Sequence, residues 1–153
     1  MEEYSLFTDG GSRGNPGIAA CGFLLTDGGG KELLSGGWYL GENTNNHAEY
    51  CGLIWGLQNA KSLGIKNLKI YADSELMVKQ MNGVYKVKNA HLKDMHAQAN
   101  ELFSSFESIT ISHIYRTANK VADLRVNESM DARAPVGSYK VDFFEGSAQA
   151  TLF

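Results

Sequence analysis

The sequence predicts one α/β domain built on a single five-stranded mixed sheet, with a three-strand antiparallel meander, two further parallel strands and flanking helices. Three observations predict it. The first 40 residues alternate apolar runs with glycine-rich turns, as consecutive hairpins do. From residue 44 onward, helical and strand patterns alternate. Each later strand is reached through a helical stretch, and such crossovers make it parallel to the first strand.

The elements follow in order. Residues 3–9 read as a strand that ends on Asp9. Residues 10–17, G-G-S-R-G-N-P-G, read as a turn, because glycine and proline dominate them. Residues 18–26 read as a buried strand, 27–30 as a hairpin loop and 31–40 as the returning strand. Residues 44–63 read as a helix that Thr44 or Asn45 caps and Gly64 stops. It is apolar around most of its circumference, from Ala48 through Leu53 and Trp55 to Ala60, which marks it as the central buried helix. The run N-L-K-I-Y-A (67–72) is a strand that delivers Asp73, and Ser74 caps a short helix finishing near Gly83. After a linker at 84–88, residues 90–106 carry Leu92, Met95, Ala99, Leu102, Phe103 and Phe106 on one helical stripe. Residues 109–115 read as a strand and 118–133 as a last helix. The predicted domain is 1–133, and 134–153 reads as a C-terminal tail without helical period.

The length of 153 residues suits one domain with a real core. A hydrophobic fraction of 43% and a charged fraction of 20% are those of an ordinary globular chain. No stretch approaches the roughly 20 apolar residues of a membrane helix, so no membrane partner is expected. The acidic start, M-E-E-Y, lacks a signal peptide's basic beginning and apolar run, so a cytoplasmic setting is expected. Cys21 and Cys51 form neither a disulfide framework nor a zinc pattern and read as small buried apolar residues. A net charge of -3 gives no bulk attraction to a polyanion, although two bound divalent cations would reverse its sign.

Four acidic residues stand out, each in its own short motif. They are Asp9 in T-D-G-G-S-R-G-N-P-G, Glu49 in T-N-N-H-A-E-Y, Asp73 in Y-A-D-S-E and Asp123 in R-T-A-N-K-V-A-D. Sites in open α/β sheets lie beyond the carboxyl ends of parallel strands, which brings Asp9 and Asp73 together. Glu49 arrives from the first helix and Asp123 from the last. Taken singly, Asp9 also reads as a turn residue and Asp73 as a helix cap. Glu49 resists such a reading, because its helix is otherwise apolar. Carboxylates repel one another and are costly to desolvate, so a fold that gathers four of them needs cations.

The four motifs, in this order and with these elements between them, resemble type 1 ribonuclease H, a nuclease family acting on RNA–DNA hybrids. The match spans about residues 4–131. The resemblance implies the ribonuclease H-like fold and a metal-dependent endonuclease that cleaves the RNA strand, leaving 5′-phosphate and 3′-hydroxyl ends. It assigns Asp9, Glu49, Asp73 and Asp123 to two Mg2+ ions, with Mn2+ as an alternative. Asp9 would bridge the ions, Glu49 and Asp73 would serve the leaving-group side, and Asp123 the attacking-water side. Such hard cations take oxygen ligands, and a pair roughly 4 Å apart holds both oxygens of an in-line displacement. Minor-groove recognition is implied for the backbone of Gly10 and Gly11 and for Asn15, Asn45 and Asn46, with Gln80 an added candidate. There the 2′-hydroxyl separates RNA from DNA. Thr44, near a helix N-terminus, is implied to hold a DNA phosphate and Ser74 to touch the hybrid backbone. A monomer is expected.

The chain also departs from the family. Many members carry a basic helical protrusion where this chain has only V-Y-K-V-K-N-A-H. Tyr85, Lys86 and Lys88, with Lys79 and Lys93, offer a thinner basic edge. Many members have a loop histidine before the last motif, whereas R-T-A-N-K has none, and Arg116 is the candidate phosphate contact in its place. His113 reads as an ordinary strand residue, and His47, His91 and His96 as surface or satisfied residues. Arg125 falls where a core leucine is usual. Two rival readings are another nuclease of the same fold, resolvase- or integrase-like, and a binding module with weak or no catalysis. The Asn45–Asn46 pair and the strand-one glycine turn favour the hybrid nuclease, and the four acids disfavour the binding module.

The final residues, Gln149 to Phe153, resemble the Q-x-x-L-F peptide by which bacterial replication and repair proteins bind the sliding clamp. Leu152 and Phe153 would fill an apolar pocket while Gln149 bonds at its rim. The competing reading packs V-D-F-F (141–144) and the terminus onto the domain as an extra strand or anchor.

Overall fold

The computed structural model describes residues 2–144, so the peptide of Gln149, Leu152 and Phe153 lies outside the described residues. Strands β1 (Tyr4–Gly14), β2 (Gly17–Thr26) and β3 (Glu32–Asn43) form the antiparallel meander. Strands β4 (Asn67–Ala72) and β5 (Ser108–His113) run parallel to β1. The helices are α1 (Asn45–Ser62), α2 (Glu75–Met81), α3 (Ala90–Phe103) and α4 (Lys120–Ala132). The mixed α/β architecture is as anticipated, but the sheet has a sixth strand. Residues Val136–Ser138, read from sequence as tail, form β6 against β3, and the order is β5-β4-β1-β2-β3-β6.

The predicted turn at 10–17 is the second correction. β1 and β2 stay paired through Gly14 and Gly17, so only Asn15 and Pro16 are left to turn. The glycines mark close approach instead, which is the other meaning of glycine in a strand. A Cβ on Gly10 would stand 2.2 Å from the Ala48 carbonyl of α1. The next residue, Gly11, faces Val126 of α4. Successive strand residues point to opposite faces, so α1 and α4 cover opposite faces of the sheet. The main core lies on the α1 side, where Trp55, Leu53 and Leu57 meet Leu6, Phe23 and Ile70. A smaller cluster of Ala20, Val126 and Met130 lies under α4.

Helix ends follow ordinary capping chemistry. Thr44, Ser74 and Asn89 each accept a main-chain N–H three residues on, starting α1, α2 and α3. Helix α3 stops at Phe103, and Phe106 turns back into the core. The last helix is shorter than 118–133 because a 3-10 turn, Arg116–Ala118, precedes it. Arg125 is accommodated rather than buried bare. Its Nε donates to Ser35 Oγ at 3.0 Å and its Nη1 pairs with Glu128 at 2.6 Å.

Residues 139–144 strap onto α1, through contacts made by three of its side chains. Trp55 Nε1 donates to the Val141 carbonyl at 2.7 Å, and Gln58 Nε2 to that of Phe144 at 2.8 Å. Asn59, fully buried, accepts the N–H groups of Lys140 and Val141 at 2.8 and 3.2 Å. Tyr139 packs edge-on against Trp55, with ring centroids 5.0 Å apart. Replacing Asn59 by Leu keeps its size but leaves two strap N–H groups without partners. Asn59→Leu is expected to cost about 3 kcal/mol in urea unfolding. An unchanged midpoint would show that the Asn59 bonds to the strap contribute nothing to stability.

Candidate active site

The site begins where β4 ends. Ala72, its last residue, pairs with Thr8, and β1 continues alone on that side. Asp73 and the first turns of α1 lie beside the lengthened part of β1. Helix and strand meet main chain to main chain there. A Cβ on Gly10 would lie 2.4 Å from the Glu49 nitrogen, and one on Gly52 would lie 2.4 Å from the Asp9 carbonyl oxygen. The glycines therefore set Glu49 directly against Asp9. Carboxylate oxygens of Asp9, Glu49 and Asp73 lie within 4.8 Å of one another.

Asp123 joins from α4, outside that trio. It acts on Asp9 by charge and by hydrogen bonding between the two carboxyls. Asn127 Nδ2, one turn on, donates to the Asp123 carbonyl at 3.0 Å.

The cluster is electrostatically uncomfortable without a cation. Asp9 is 6% exposed. Burial first, then the charges of Asp73 and Asp123, lift its carboxyl from 3.8 to about 8, although the Gly10 N–H donates to it at 2.9 Å. Burial, with Asp9 and Asp73, likewise holds Glu49 well above its ordinary range. Glu49 Oε1 and Asp73 Oδ2 are buried and accept no hydrogen bond from the described residues. Among the described residues Arg116 pairs with Asp73, its Nε 4.0 Å from Oδ2, but its side chain is 84% exposed, so solvent weakens the pair. Orphaned carboxylate oxygens without nitrogen or sulfur donors are the ligand set of a hard divalent cation. The residues present fit Mg2+ or Mn2+.

The other predicted residues lie on several elements around the acids. Asn15 and Asn45 form one rigid edge, in which Asn15 Oδ1 accepts the Asn45 N–H at 3.1 Å and Asn45 Oδ1 accepts the Ser12 N–H at 2.8 Å. Asn15, Thr44 and Asn46 line a groove with Asn43, His47, Asn89 and His91. Sequence reasoning missed Asn43, Asn89 and His91. The available signal was that Asn89 caps α3, so two helix N-termini, each suited to an anion, converge. His47 is buried, and its Nδ1 lies 2.6 Å from Nε2 of His91. Ser74 is held by its cap on Met77. Lys86 and Lys88 are exposed, and Tyr85 presents its ring beneath Lys79 Nζ, 5.1 Å from the centroid. Gln80 lies apart from that groove. It is 7% exposed, and its side-chain carbonyl accepts the Tyr50 hydroxyl at 2.7 Å, which turns it to the core rather than the groove.

The chain is similar to known proteins in sequence and fold. Residues 7–129 match the family model described as reverse transcriptase-like. A ribonuclease HI of Halobacterium salinarum is 38% identical over 125 residues, covering 82% of this chain and 63% of that protein. The bifunctional protein Rv2228c of Mycobacterium tuberculosis is 41% identical, covering 88% of this chain and 37% of that protein. The chain therefore spans less than two thirds of these relatives. The crystal structure of RNase H1 from Halobacterium salinarum superposes with a TM-score of 0.83 at 37% identity, covering 85% of this chain and 98% of that one. That of LC11-RNase H1 in complex with RNA/DNA hybrid gives 0.81 at 39% identity, covering 85% and 98%.

The raised Asp9 value has a defined sign. A folded carboxyl above its unfolded value adds stability that is whole below about pH 4 and fades as pH rises through about 8. The metal-free protein is thus expected to melt lower at about pH 8 than at about pH 5, by roughly 5–10 °C. Asp9→Asn should raise the metal-free melting point at the higher pH and abolish the further rise that Mn2+ gives the wild type. Equal melting of the two proteins at both pH values would contradict the cluster's electrostatics.

Proposed function

The chain belongs to the type 1 ribonuclease H family, and from that premise we propose that it is a metal-dependent endonuclease cleaving the RNA strand of RNA–DNA hybrids. The observation that carries the reading is the cluster of Asp9, Glu49 and Asp73, whose oxygens lie within 4.8 Å with two of them orphaned. Asp123 completes the set. Two Mg2+ ions, or Mn2+ in their place, would be held by these acids and would stabilise the attacking and leaving oxygens of an in-line displacement.

The chain's own residues do the rest. The backbone of Gly10 and Gly11, and the linked Asn15–Asn45 edge with Asn46, would offer polar groups to the minor groove, where the 2′-hydroxyl marks RNA. The groove between the α1 and α3 N-termini, with Thr44 at its rim, suits a phosphate of the DNA strand. Ser74 touches the backbone beside Asp73. Arg116, exposed beside Asp73, takes a phosphate where many relatives carry a histidine. Tyr85, Lys86 and Lys88 form the shortened basic edge. The catalytic unit is 1–133, buttressed by the strap that follows it. The remaining features of the reading are a cytoplasmic monomer and a terminal peptide, Gln149, Leu152 and Phe153, that engages a sliding clamp.

The decisive assay offers labelled RNA–DNA hybrid, double-stranded RNA, double-stranded DNA and a four-way junction, each with Mg2+ or Mn2+. Only the hybrid should be cut, and Asp9→Asn should lower the rate at least about 1,000-fold. Junction cleavage would replace this reading with a resolvase, and hybrid binding without cleavage would replace it with a binding module. Lys86→Ala with Lys88→Ala should weaken hybrid binding about equally across sequences and lower the salt slope by about 2. An unchanged slope would remove the basic edge from the interface.

A further inference from the structure

Asn119 joins the 3-10 turn to α4 and is 1% exposed. An asparagine at a helix start ordinarily caps it through its side chain, as Asn89 does for α3. Asn119 makes no such cap bond. Its Nδ2 reaches instead to the main-chain oxygen of Thr8, 2.8 Å away and 111 residues distant in sequence. Its own main-chain carbonyl accepts the Asp123 N–H at 3.1 Å.

The position of Thr8 gives this bond its meaning. Thr8 precedes Asp9, and its partner Ala72 is the last residue of β4 in the ladder. A buried carbonyl there needs a donor from elsewhere, and Asn119 supplies it. One residue therefore grips the peptide leading into Asp9 with its side chain and the first turn carrying Asp123 with its backbone. Its Oδ1 is buried with no partner among the described residues, so the Thr8 bond alone orients the amide. Arg13 also ties β1 to α4, through Asp131 at 2.7 Å, but that pair is exposed and farther along the strand.

We propose that Asn119 is a positioning residue that fixes the separation of Asp9 and Asp123, and thereby the strength with which that pair holds a divalent cation. This rests on the reading of the four acids as metal ligands. Asn119 does not itself meet the reacting atoms. It acts as an outer-shell group whose bond orients ligands.

The test measures Mn2+ binding to the full chain by calorimetry and electron paramagnetic resonance, in the wild type, Asn119→Leu and Asn119→Ser. Melting and hybrid cleavage are followed in parallel. Asn119→Leu, close in size but without a donor, should weaken one class of Mn2+ site at least about tenfold and leave the other within about twofold. Asn119→Ser, with a shorter hydroxyl donor, should fall between Leu and wild type. The rate at saturating hybrid should drop in the same order, with KM for the hybrid unchanged. Wild-type Mn2+ affinity in the variants would overturn the proposal, as would an equal loss at both sites that tracks melting. If Asn119→Leu does not fold, Asn119→Ser decides by the same criteria. A wild type that neither binds Mn2+ nor cuts hybrid would overturn the reading of the acids, and this proposal with it.

Discussion

Main-chain contact between α1 and β1 is the constraint on which the site depends. Gly10 and Gly52 permit it, since a methyl group at either would collide with the backbone opposite. The contact presses Glu49 onto Asp9 at a depth where carboxylates strongly resist ionising. No packing preference would place these acids together. Hydrophobic burial of α1 against Leu6, Phe23 and Ile70 supplies the force, and the acids are carried with it. The fold thereby holds a local repulsion at a fixed place, ready for a cation to relieve it.

The remaining elements serve that geometry. β4 ends at Ala72, which opens the space that Asp73 enters. Helix α4 crosses the opposite face and brings Asp123 to Asp9 from the other side. The strap that follows α4 returns to the far half of α1 and fixes Trp55, Gln58 and Asn59. The helix that carries Glu49 is thus held at its other end by polar bonds as well as by apolar packing. Arg116 contrasts with these buried contacts: its side chain is exposed and its Nε lies 4.0 Å from Asp73 Oδ2.

Much of this was legible in the sequence, for identifiable reasons. The four acids sit in local motifs whose strand or helix context can be read from a few neighbours, and Thr44, Ser74 and Asn89 obey simple capping rules. The errors came from residues whose meaning depends on distant partners. Glycine marks turns and close approaches alike, so the run after Asp9 reads as a turn in sequence, whereas α1 lies against it in the fold. β6 spans only Val136–Ser138, too short for a periodic signal. It pairs with β3, and the strap that continues it is held by Trp55 and Asn59, 86 and 81 residues away. The sequence could offer Gln80 as a minor-groove candidate but not its bond to Tyr50, 30 residues earlier. Asn119 read as part of a loop motif, and only the fold discloses its bond to Thr8.

Diffraction from crystals soaked in Mn2+, recorded at the manganese absorption edge, tests the central claim most directly. The account predicts two anomalous peaks about 4 Å apart, with an Asp9 oxygen between them, Glu49 and Asp73 on one peak and Asp123 on the other. Empty density at the four carboxylates, or manganese bound only elsewhere on the surface, would contradict it.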